Sequence, residues 1–245
     1  MTDALFLADV VGKNPGDIVD VSGAEGRHAV TVKRLRMGES ILLADGAGTG
    51  VQAEVVDIGK AEFSARVTQV FEKQPAKIKW TAVQGLAKGP RSDIAIEALT
   101  ELGVDEVIAW QASRSVVRWE KKAEKGLAKW AATLREASKQ CRRFDIPELS
   151  YANSKEVAQR VSSAACSLIL HEDAETPLSQ IELPAAGEIV FIIGPEGGIS
   201  PQEAADFEQA GAKMVSLGDY VLRTSTAGLV ALSQLQLLSQ IQTEA

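Results

Sequence analysis

The chain has 245 residues, of which 45% are hydrophobic and 24% charged, and its formal net charge at pH 7 is −7. These values are ordinary for a globular protein and exclude disordered, collagen-like and disulfide-scaffold proteins. The apolar run 189–193 is far shorter than the roughly 20 residues of a membrane-spanning helix. Asp3 and Asp9 interrupt the apolar start of the chain, which lacks the basic segment of a signal peptide. We therefore expect a cytoplasmic protein with no membrane association.

The charge is distributed unevenly. Residues 114–143 contain ten Lys or Arg and three Asp or Glu, whereas residues 144–245 contain four and fourteen. A basic segment of this kind is typical either of a solvated helix face or of a surface that binds an anionic ligand. The single cysteines Cys141 and Cys166 form no metal-binding motif, so we expect neither a disulfide nor a metal site.

The first 72 residues are predicted to form strands. Aliphatic and β-branched runs at 41–43, 52–56 and 63–70 are separated by glycine-containing turns, a spacing that indicates a small β-barrel. A basic segment around Arg27, with Lys33, Arg34 and Arg36, is interpreted as a strand edge. That edge is either merely polar or in contact with phosphates.

After a predicted linker at Gln74-Pro75 the pattern becomes that of an α/β domain, which divides the chain into domains 1–74 and 75–245. Strands are predicted at 78–83, 104–109, 167–170, 188–193 and 214–217, and their continuous apolar runs are typical of a parallel sheet covered on both faces. Helices are predicted at 92–102, with Ser92 as N-cap, at 127–143 and at 226–242. Trp130 is expected in the core.

A glycine-rich segment, Gly194-Pro-Glu-Gly-Gly198, follows the strand at 188–193 and precedes a helix. Ser200 and Glu203 form a capping-box pattern at the start of this helix. Glycines here would let a ligand approach the end of a parallel strand, where α/β sheets bind their ligands, and the helix start adds free amide donors. The alternative is a tight turn that binds nothing.

A second segment, 217–228, places Arg223 beside Thr224, Ser225 and Thr226 between a strand and the last helix. If this segment and the glycine-rich one converge, Arg223 supplies a fixed cation close to a ligand. The alternative is a surface arginine in an ion pair.

Motifs in both halves of the chain resemble those of the RsmE family of ribosomal RNA uracil-N3 methyltransferases, in the SPOUT class. They are Asp45-Gly-x-Gly48 and the basic segment 28–39 in the first domain, followed in the second by Thr-Glu-Leu-Gly-Val at 100–104, Glu-Ala-x-x-Gln-x-x-Arg at 136–143, Gly-Pro-Glu-Gly-Gly at 194–198 and Leu-Arg-Thr-x-Thr-Ala at 222–227. The resemblance spans nearly the whole chain. It departs from the family at Ser225, where the family usually has Glu, so no role of that carboxylate carries over. Either the Glu is not essential, or a neighbour such as Glu196 or Glu101 replaces it.

The resemblance implies a PUA-like β-barrel RNA-binding domain followed by a SPOUT-type α/β domain with a C-terminal trefoil knot, and a homodimer. It also implies S-adenosylmethionine as cofactor and one uridine of 16S ribosomal RNA, free or in the small subunit, as substrate. The implied cofactor-binding residues are Leu170, His171, Ile193, Gly194, Gly197, Leu217, Gly218, Val221, Leu222, Arg223 and Thr224.

We predict that Arg223 stabilises the uracil anion and that Thr224 or Thr226 orients the base, which makes Arg223 and Thr224 the catalytic candidates. The basic residues are predicted to contact RNA phosphates. These candidates are Arg27, Lys33, Arg34, Arg36, Arg114, Arg118, Arg142 and Arg143.

Two other functions stay open at the level of sequence. A related SPOUT enzyme that methylates a ribose 2′-hydroxyl would share the cofactor but need a different base pocket. A catalytically weak ribosomal RNA-binding assembly factor would keep the basic surface, and Ser225 is the residue that favours it.

Overall fold

The computed structural model describes residues 3–72 and 75–244. The chain forms two compact units: the N-terminal unit comprises Met1–Pro75 and Arg135–Ile146, and the C-terminal unit comprises Ala76–Leu134 and Pro147–Ala245. Gln74, part of the predicted linker, lies outside the described residues, and the division of the chain at residue 74 stays a prediction. Within the described residues no helix is both long and apolar enough to cross a bilayer.

The N-terminal unit is built on a five-stranded sheet. Its strands are β1 Ala4–Leu7, β2 Ile18–Val21, β3 Ser40–Ala44, β4 Thr49–Ile58 and β5 Phe63–Glu72. Their order in the sheet is β1-β3-β4-β5-β2, in which β1 and β3 are parallel and the other neighbours antiparallel. Side chains that alternate along these strands fill the core of the unit, including Phe6, Ile41, Leu43 and Phe63. The three predicted strands of this unit are thereby confirmed.

The basic segment 27–36 was interpreted from the sequence as a strand edge. In the structure, residues 27–32 of this segment are helical. It begins in the short helix α1, Gly23–Arg27, and continues as one π-helical turn, His28–Val32. Ala29 and Leu35 are buried, whereas Thr31 and Lys33, which would share their face of a strand, are exposed, so burial does not alternate as a strand requires. Gly26 fixes this helix against the sheet, because a Cβ there would lie 2.6 Å from the carbonyl oxygens of Val21 and Ala61.

The C-terminal unit contains a six-stranded parallel sheet. Its strands are β6 Ile78–Gly85, β7 Glu106–Trp110, β8 Glu148–Ala152, β9 Cys166–Leu170, β10 Gly187–Ile193 and β11 Lys213–Val215. Their order in the sheet is β11-β9-β10-β6-β7-β8. The predicted α/β class and parallel sheet are confirmed. The sequence prediction missed β8, an edge strand of alternating exposure that lacks the continuous apolar run of its neighbours.

The longer helices are α2 Arg91–Glu101, α3 Ala123–Cys141, α4 Ser154–Ser163, α5 Pro201–Gln209 and α6 Thr224–Glu244, and the prediction missed α4. Ser92 is not the N-cap of α2: Pro90 occupies that position, and the Ser92 hydroxyl exchanges hydrogen bonds with the backbone of Ala87. Trp130 is buried as expected. Helix α6 packs against α2 and β10, since a Cβ at Gly228 would contact Leu99 and Ile193.

Candidate functional site at the carboxyl edge of the parallel sheet

A cavity of about 560 Å³ opens where β9, β10 and β11 end. Leu170 and Ile193 are the last residues of β9 and β10, and the segment that follows β11 forms another wall. The first turn of α6 completes the cavity. Its place is the one at which α/β sheets bind ligands, because loops at the carboxyl ends of neighbouring parallel strands converge there.

The structure brings all eleven predicted cofactor-binding residues to this one cavity. Three loops and the start of α6 contribute them, although they are spread over more than fifty positions of the chain. The lining includes Leu170, His171, Ile193, Gly194, Gly197, Leu217, Gly218, Val221, Leu222, Arg223 and Thr224. Their assignment to a cofactor stays a prediction.

The glycine-rich loop owes part of its composition to close packing within the protein. A Cβ at Gly197 would lie 2.7 Å from the carbonyl oxygen of Arg114, and one at Gly194 would lie 3.0 Å from the Ile199 side chain. Gly198 has a φ of 72°, which favours glycine. Around Gly218, by contrast, a Cβ would meet nothing within 4 Å. Glycine is therefore needed at position 197 because the backbone of Arg114 packs against it, and this need does not depend on a ligand.

The predicted capping box is present and does more than cap α5. Glu203 accepts hydrogen bonds from the Ser113 amide and from the hydroxyls of Ser113, Ser154 and Ser200, at 2.7–2.8 Å. Burial raises the pKa of the Glu203 carboxyl, but the hydrogen bonds from Ser200, Ser113 and Ser154 outweigh it and lower that pKa below its ordinary 4.5. This carboxylate fixes the segment that carries Arg114 to the rim of the cavity.

Glu196, a candidate to replace the carboxylate missing at Ser225, lines the cavity, whereas Glu101 does not. The Oε1 of Glu196 accepts hydrogen bonds from the Lys88 amide at 2.9 Å and from Arg91 Nη1 at 3.1 Å. Burial raises the pKa of Glu196, but these hydrogen bonds and the Arg91 charge lower it by more. A carboxylate stabilised in this way is a weak proton acceptor at neutral pH.

Arg223 and Thr224 both line the cavity but face different surroundings. Arg223 is exposed, and among the described residues its guanidinium has no ion-pair partner. Thr224 is buried: its hydroxyl donates to the Gly194 carbonyl at 2.7 Å and accepts from Gln84 Nε2 at 3.0 Å. The Thr226 hydroxyl donates to the Arg223 carbonyl at 3.2 Å. Through its hydrogen bonds with Gly194 and Gln84, the Thr224 hydroxyl connects the start of α6 to the glycine-rich loop and to β6.

Gln84 is a residue of the site that was not predicted from the sequence. This residue lies near the end of β6, is fully buried and connects that strand to α6 through Thr224. Its Oε1 has no hydrogen-bond partner within the described part of the chain. The available signal was a single polar residue inside the otherwise apolar end of a buried strand.

The predicted RNA-contacting residues fall into two groups. Arg114 and Arg118 belong to the C-terminal unit, where both are exposed and Arg114 lines the cavity. The other six belong to the N-terminal unit, and five of them are exposed: Arg27, Lys33, Arg34, Arg36 and Arg142. Arg143 is only partly accessible, and its Nη2 lies 2.7 Å from an oxygen of Asp145.

Comparison with known proteins gives matches over both units. The family model of the RNA methyltransferase domain matches residues 74–236, and that of the RNA methyltransferase PUA domain matches residues 21–68. Ribosomal RNA small subunit methyltransferase E of Mycobacterium tuberculosis (strain CDC 1551 / Oshkosh) is 40% identical, with 98% of this chain and 93% of that protein covered. The protein of that name from Bacillus subtilis (strain 168) is 29% identical, with 90% of each chain covered.

Solved structures of similar proteins point to the same family. The crystal structure of a ribosomal RNA small subunit methyltransferase E from Neisseria gonorrhoeae bound to S-adenosyl methionine is 29% identical, with a TM-score of 0.85, and 97% of this chain and 98% of that one are covered. A Legionella pneumophila protein in complex with the bound cofactor SAM is 28% identical with the same TM-score, and the same shares of the two chains are covered. This chain therefore belongs to the RNA methyltransferase family that includes ribosomal RNA small subunit methyltransferase E, with a PUA domain ahead of an α/β methyltransferase domain.

Proposed function

We propose that this protein transfers the methyl group of S-adenosylmethionine to N3 of a specific uridine in the 16S ribosomal RNA of the small subunit, in the cytoplasm. The observation that carries the proposal is the convergence of the eleven predicted residues on one cavity, in a chain whose structural neighbours bind this cofactor. The substrate is supported by the relatives, which are named ribosomal RNA small subunit methyltransferases, and the N3 position by the motif resemblance.

The cavity residues suit such a cofactor. Apolar side chains such as Leu170, Ile193 and Leu217 can enclose an adenine ring, and Asp173 and Asp219 can accept hydrogen bonds from ribose hydroxyls or an ammonium group. The volume of about 560 Å³ lies in the range of ordinary ligand pockets. When bound, S-adenosylmethionine supplies an electrophilic methyl group attached to a positively charged sulfur.

The residues of this chain supply orientation and charge. Uracil N3 becomes nucleophilic as its proton leaves, and the negative charge spreads over O2 and O4 of the base. The planar, permanently charged guanidinium of Arg223 can donate to such an oxygen and stabilise that charge. Thr224 holds Arg223 in place through its hydrogen bonds to Gly194 and Gln84.

The RNA would be bound by the exposed basic residues of both units, Arg27, Lys33, Arg34, Arg36, Arg114, Arg118 and Arg142, with a smaller contribution from the paired Arg143. Phosphate contacts of this kind position the RNA without reading its sequence. The target uridine must leave its stack to present N3, because a stacked and paired base hides that atom.

We also propose that the protein is a homodimer. Leu237 and Ile241, one helical turn apart on α6, are more than half exposed and form an apolar strip that a second copy can cover. Light scattering should give twice the chain mass. A monomer over the concentrations used in activity assays would contradict this part of the proposal.

The test of the function is transfer of labelled methyl groups from S-adenosylmethionine to small ribosomal subunits and to naked 16S RNA, followed by mass spectrometry of nucleosides. We expect 3-methyluridine, and the better of the two substrates identifies the stage at which the enzyme acts. A ribose-methylated nucleoside would assign the protein to the 2′-O-methyltransferases. Cofactor binding without transfer would point to the Glu missing at position 225 or to a different RNA substrate. Absence of cofactor binding would favour the RNA-binding assembly factor.

A further inference from the structure

Within residues 3–72 and 75–244, four helical segments end with hydrogen bonds of the Schellman type, which require a left-handed residue just after the helix. Helices α2 and α5 of the C-terminal unit use glycine there, Gly103 with φ 87° and Gly211 with φ 108°. The two that end in the N-terminal unit use arginine, Arg34 with φ 55° and Arg142 with φ 60°. Glycine takes this conformation without strain, whereas the Cβ of arginine is crowded in it.

The hydrogen bonds identify Arg34 and Arg142 as the capping positions. After α3, the Arg143 amide donates to the Ser138 carbonyl at 2.9 Å, a span of five residues with Arg142 in the left-handed position. After the π-helical turn, the Leu35 amide donates to the Ala29 carbonyl at 3.1 Å. This span is one residue longer because the last turn is wider.

Contacts within the protein do not account for the choice of arginine. Arg34 and Arg142 are exposed, and neither side chain makes a hydrogen bond or ion pair with the described residues. The neighbouring basic side chains do: Arg135 and Lys139 both contact Glu25, at 3.1 and 3.2 Å. The charge of Arg142 helps to lower the pKa of Asp3, but that carboxylate accepts its hydrogen bonds from Ser40 and Gln52.

A cation at a helix C-terminus also interacts favourably with the helix dipole. Each of these two helix ends already has such a cation without left-handed backbone. Lys33, with φ −78°, precedes Arg34, and Lys139 lies in the last turn of α3. The dipole therefore leaves the arginines at the left-handed positions unexplained.

We propose that Arg34 and Arg142 are the principal phosphate-binding residues of the N-terminal unit and that their positions reduce the stability of the folded protein. This inference rests on the proposed function, since it takes RNA as the partner. A guanidinium without a partner in the protein keeps all its donors for phosphate oxygens. The left-handed residue also ends the helix, so its side chain extends from a position fixed by buried neighbours such as Leu35 and Ala29.

The test uses Arg34→Gly and Arg142→Gly, because glycine removes the charge and relieves the backbone at once. We expect the melting temperature of each variant to equal or exceed that of the wild type. Affinity for naked 16S RNA should fall, and the slope of log affinity against log salt concentration should decrease by about 0.7–0.9 for each substitution. Affinity for S-adenosylmethionine serves as the measure of an intact C-terminal unit.

Two variants serve as controls. Glu120 is the third described non-glycine residue with positive φ, at 36°, and it lies in the C-terminal unit. Glu120→Gly relieves its backbone too, without removing a cation, and should not weaken RNA binding. Arg34→Lys keeps the charge and the strain and should retain most of the salt dependence.

A lower melting temperature in the glycine variants, or an unchanged salt slope, would overturn the inference. Its failure can be told from failure of the proposed function. If the wild type forms 3-methyluridine while the glycine variants bind RNA normally, the inference alone fails. If the wild type forms none while the variants still lose RNA affinity, the proposed reaction fails and the inference stands.

Discussion

At the scale of single residues, Arg223 and Thr224 separate two kinds of contribution to one site. The exposed guanidinium of Arg223 can reach a substrate, whereas the Thr224 hydroxyl is fully used between Gly194 and Gln84. These two adjacent residues, both predicted to be catalytic, therefore differ in whether their side chains can contact a substrate. We therefore propose Arg223 for transition-state stabilisation and Thr224 as a positioning residue.

Arg223→Ala should lower the rate of methyl transfer about a hundredfold, because it removes a charged donor aimed at a developing anion. The affinity for S-adenosylmethionine should change little. Single-turnover rates and calorimetric cofactor titration measure the two effects, and Arg223→Lys, which keeps the charge without the planar fork, should fall between. Equal losses of rate and cofactor affinity would refute the role given to Arg223.

Gln84 and Thr224 should be energetically coupled, because their side chains share a buried hydrogen bond of 3.0 Å. We expect Gln84→Met and Thr224→Val each to lower the free energy of unfolding, by about 1–3 kcal/mol. Their combined effect should depart from the sum by more than about 0.5 kcal/mol. Urea unfolding of the two single variants and the double variant measures the coupling; additive losses would contradict it.

At the scale of elements, the carboxylate of Glu203 ties three segments together. It lies in the first turn of α5, and its partners are Ser154 at the start of α4, Ser113 in the segment after β7 and the N-cap residue Ser200. The positions of α5, which follows the glycine-rich loop, and of the segment that carries Arg114 therefore both depend on the buried carboxylate of Glu203. The capping box at 200–203, which the sequence predicts from four residues, thus also holds together segments that are distant in the chain.

Glu203→Gln should lower the free energy of unfolding at neutral pH by about 2–3 kcal/mol, because an amide nitrogen cannot accept the serine and backbone hydrogen bonds. Since the folded pKa of Glu203 lies below 4.5, its stabilisation is present above that ordinary value and is lost as the pH falls through the folded pKa. The wild type should accordingly lose more stability on acidification than the variant does. Parallel pH dependences of the two unfolding free energies would show that Glu203 is not linked to folding in this way.

At the scale of the whole molecule, the N-terminal unit is not continuous in the chain. Residues 135–146 belong to it, and they contribute the ion pairs of Arg135 and Lys139 with Glu25. They also contribute Phe144, whose ring stacks on Phe71 at a centroid distance of 5.6 Å. A Cβ on Gly50 would lie 2.5 Å from the Phe144 ring, so glycine is needed for this packing.

A fragment of residues 1–75 should therefore be less stable than the same fragment joined to residues 135–146 by a flexible linker. Without the second segment Phe71 loses its aromatic partner and Glu25 loses both cations. Thermal unfolding followed by circular dichroism compares the two. Equal melting temperatures would mean that residues 135–146 add nothing to the stability of the unit.

The sequence alone identified the strands of both sheets apart from the edge strands β1, β2 and β8, as well as the capping box at Ser200 and the family, because these signals are local. Periodicity, turn residues and short motifs are properties of neighbours in the chain. Through the motif resemblance it also named eleven of the residues that line the cavity. It misread 27–36 as a strand because β-branched Val30, Thr31 and Val32 favour strands, whereas packing around Gly26 and Ala29 selects a helix.

Only the tertiary structure decided what each polar group in the site is free to do. Gln84 and Thr224 are 140 residues apart, and Gly197 meets the backbone of Arg114 more than 80 positions away. The same holds for Arg34 and Arg142, because the left-handed backbone follows from how each helix ends against its core. Hydrogen bonds and close contacts between distant segments exist only after the chain has folded, so local patterns indicate where a site lies but not which of its groups already have partners.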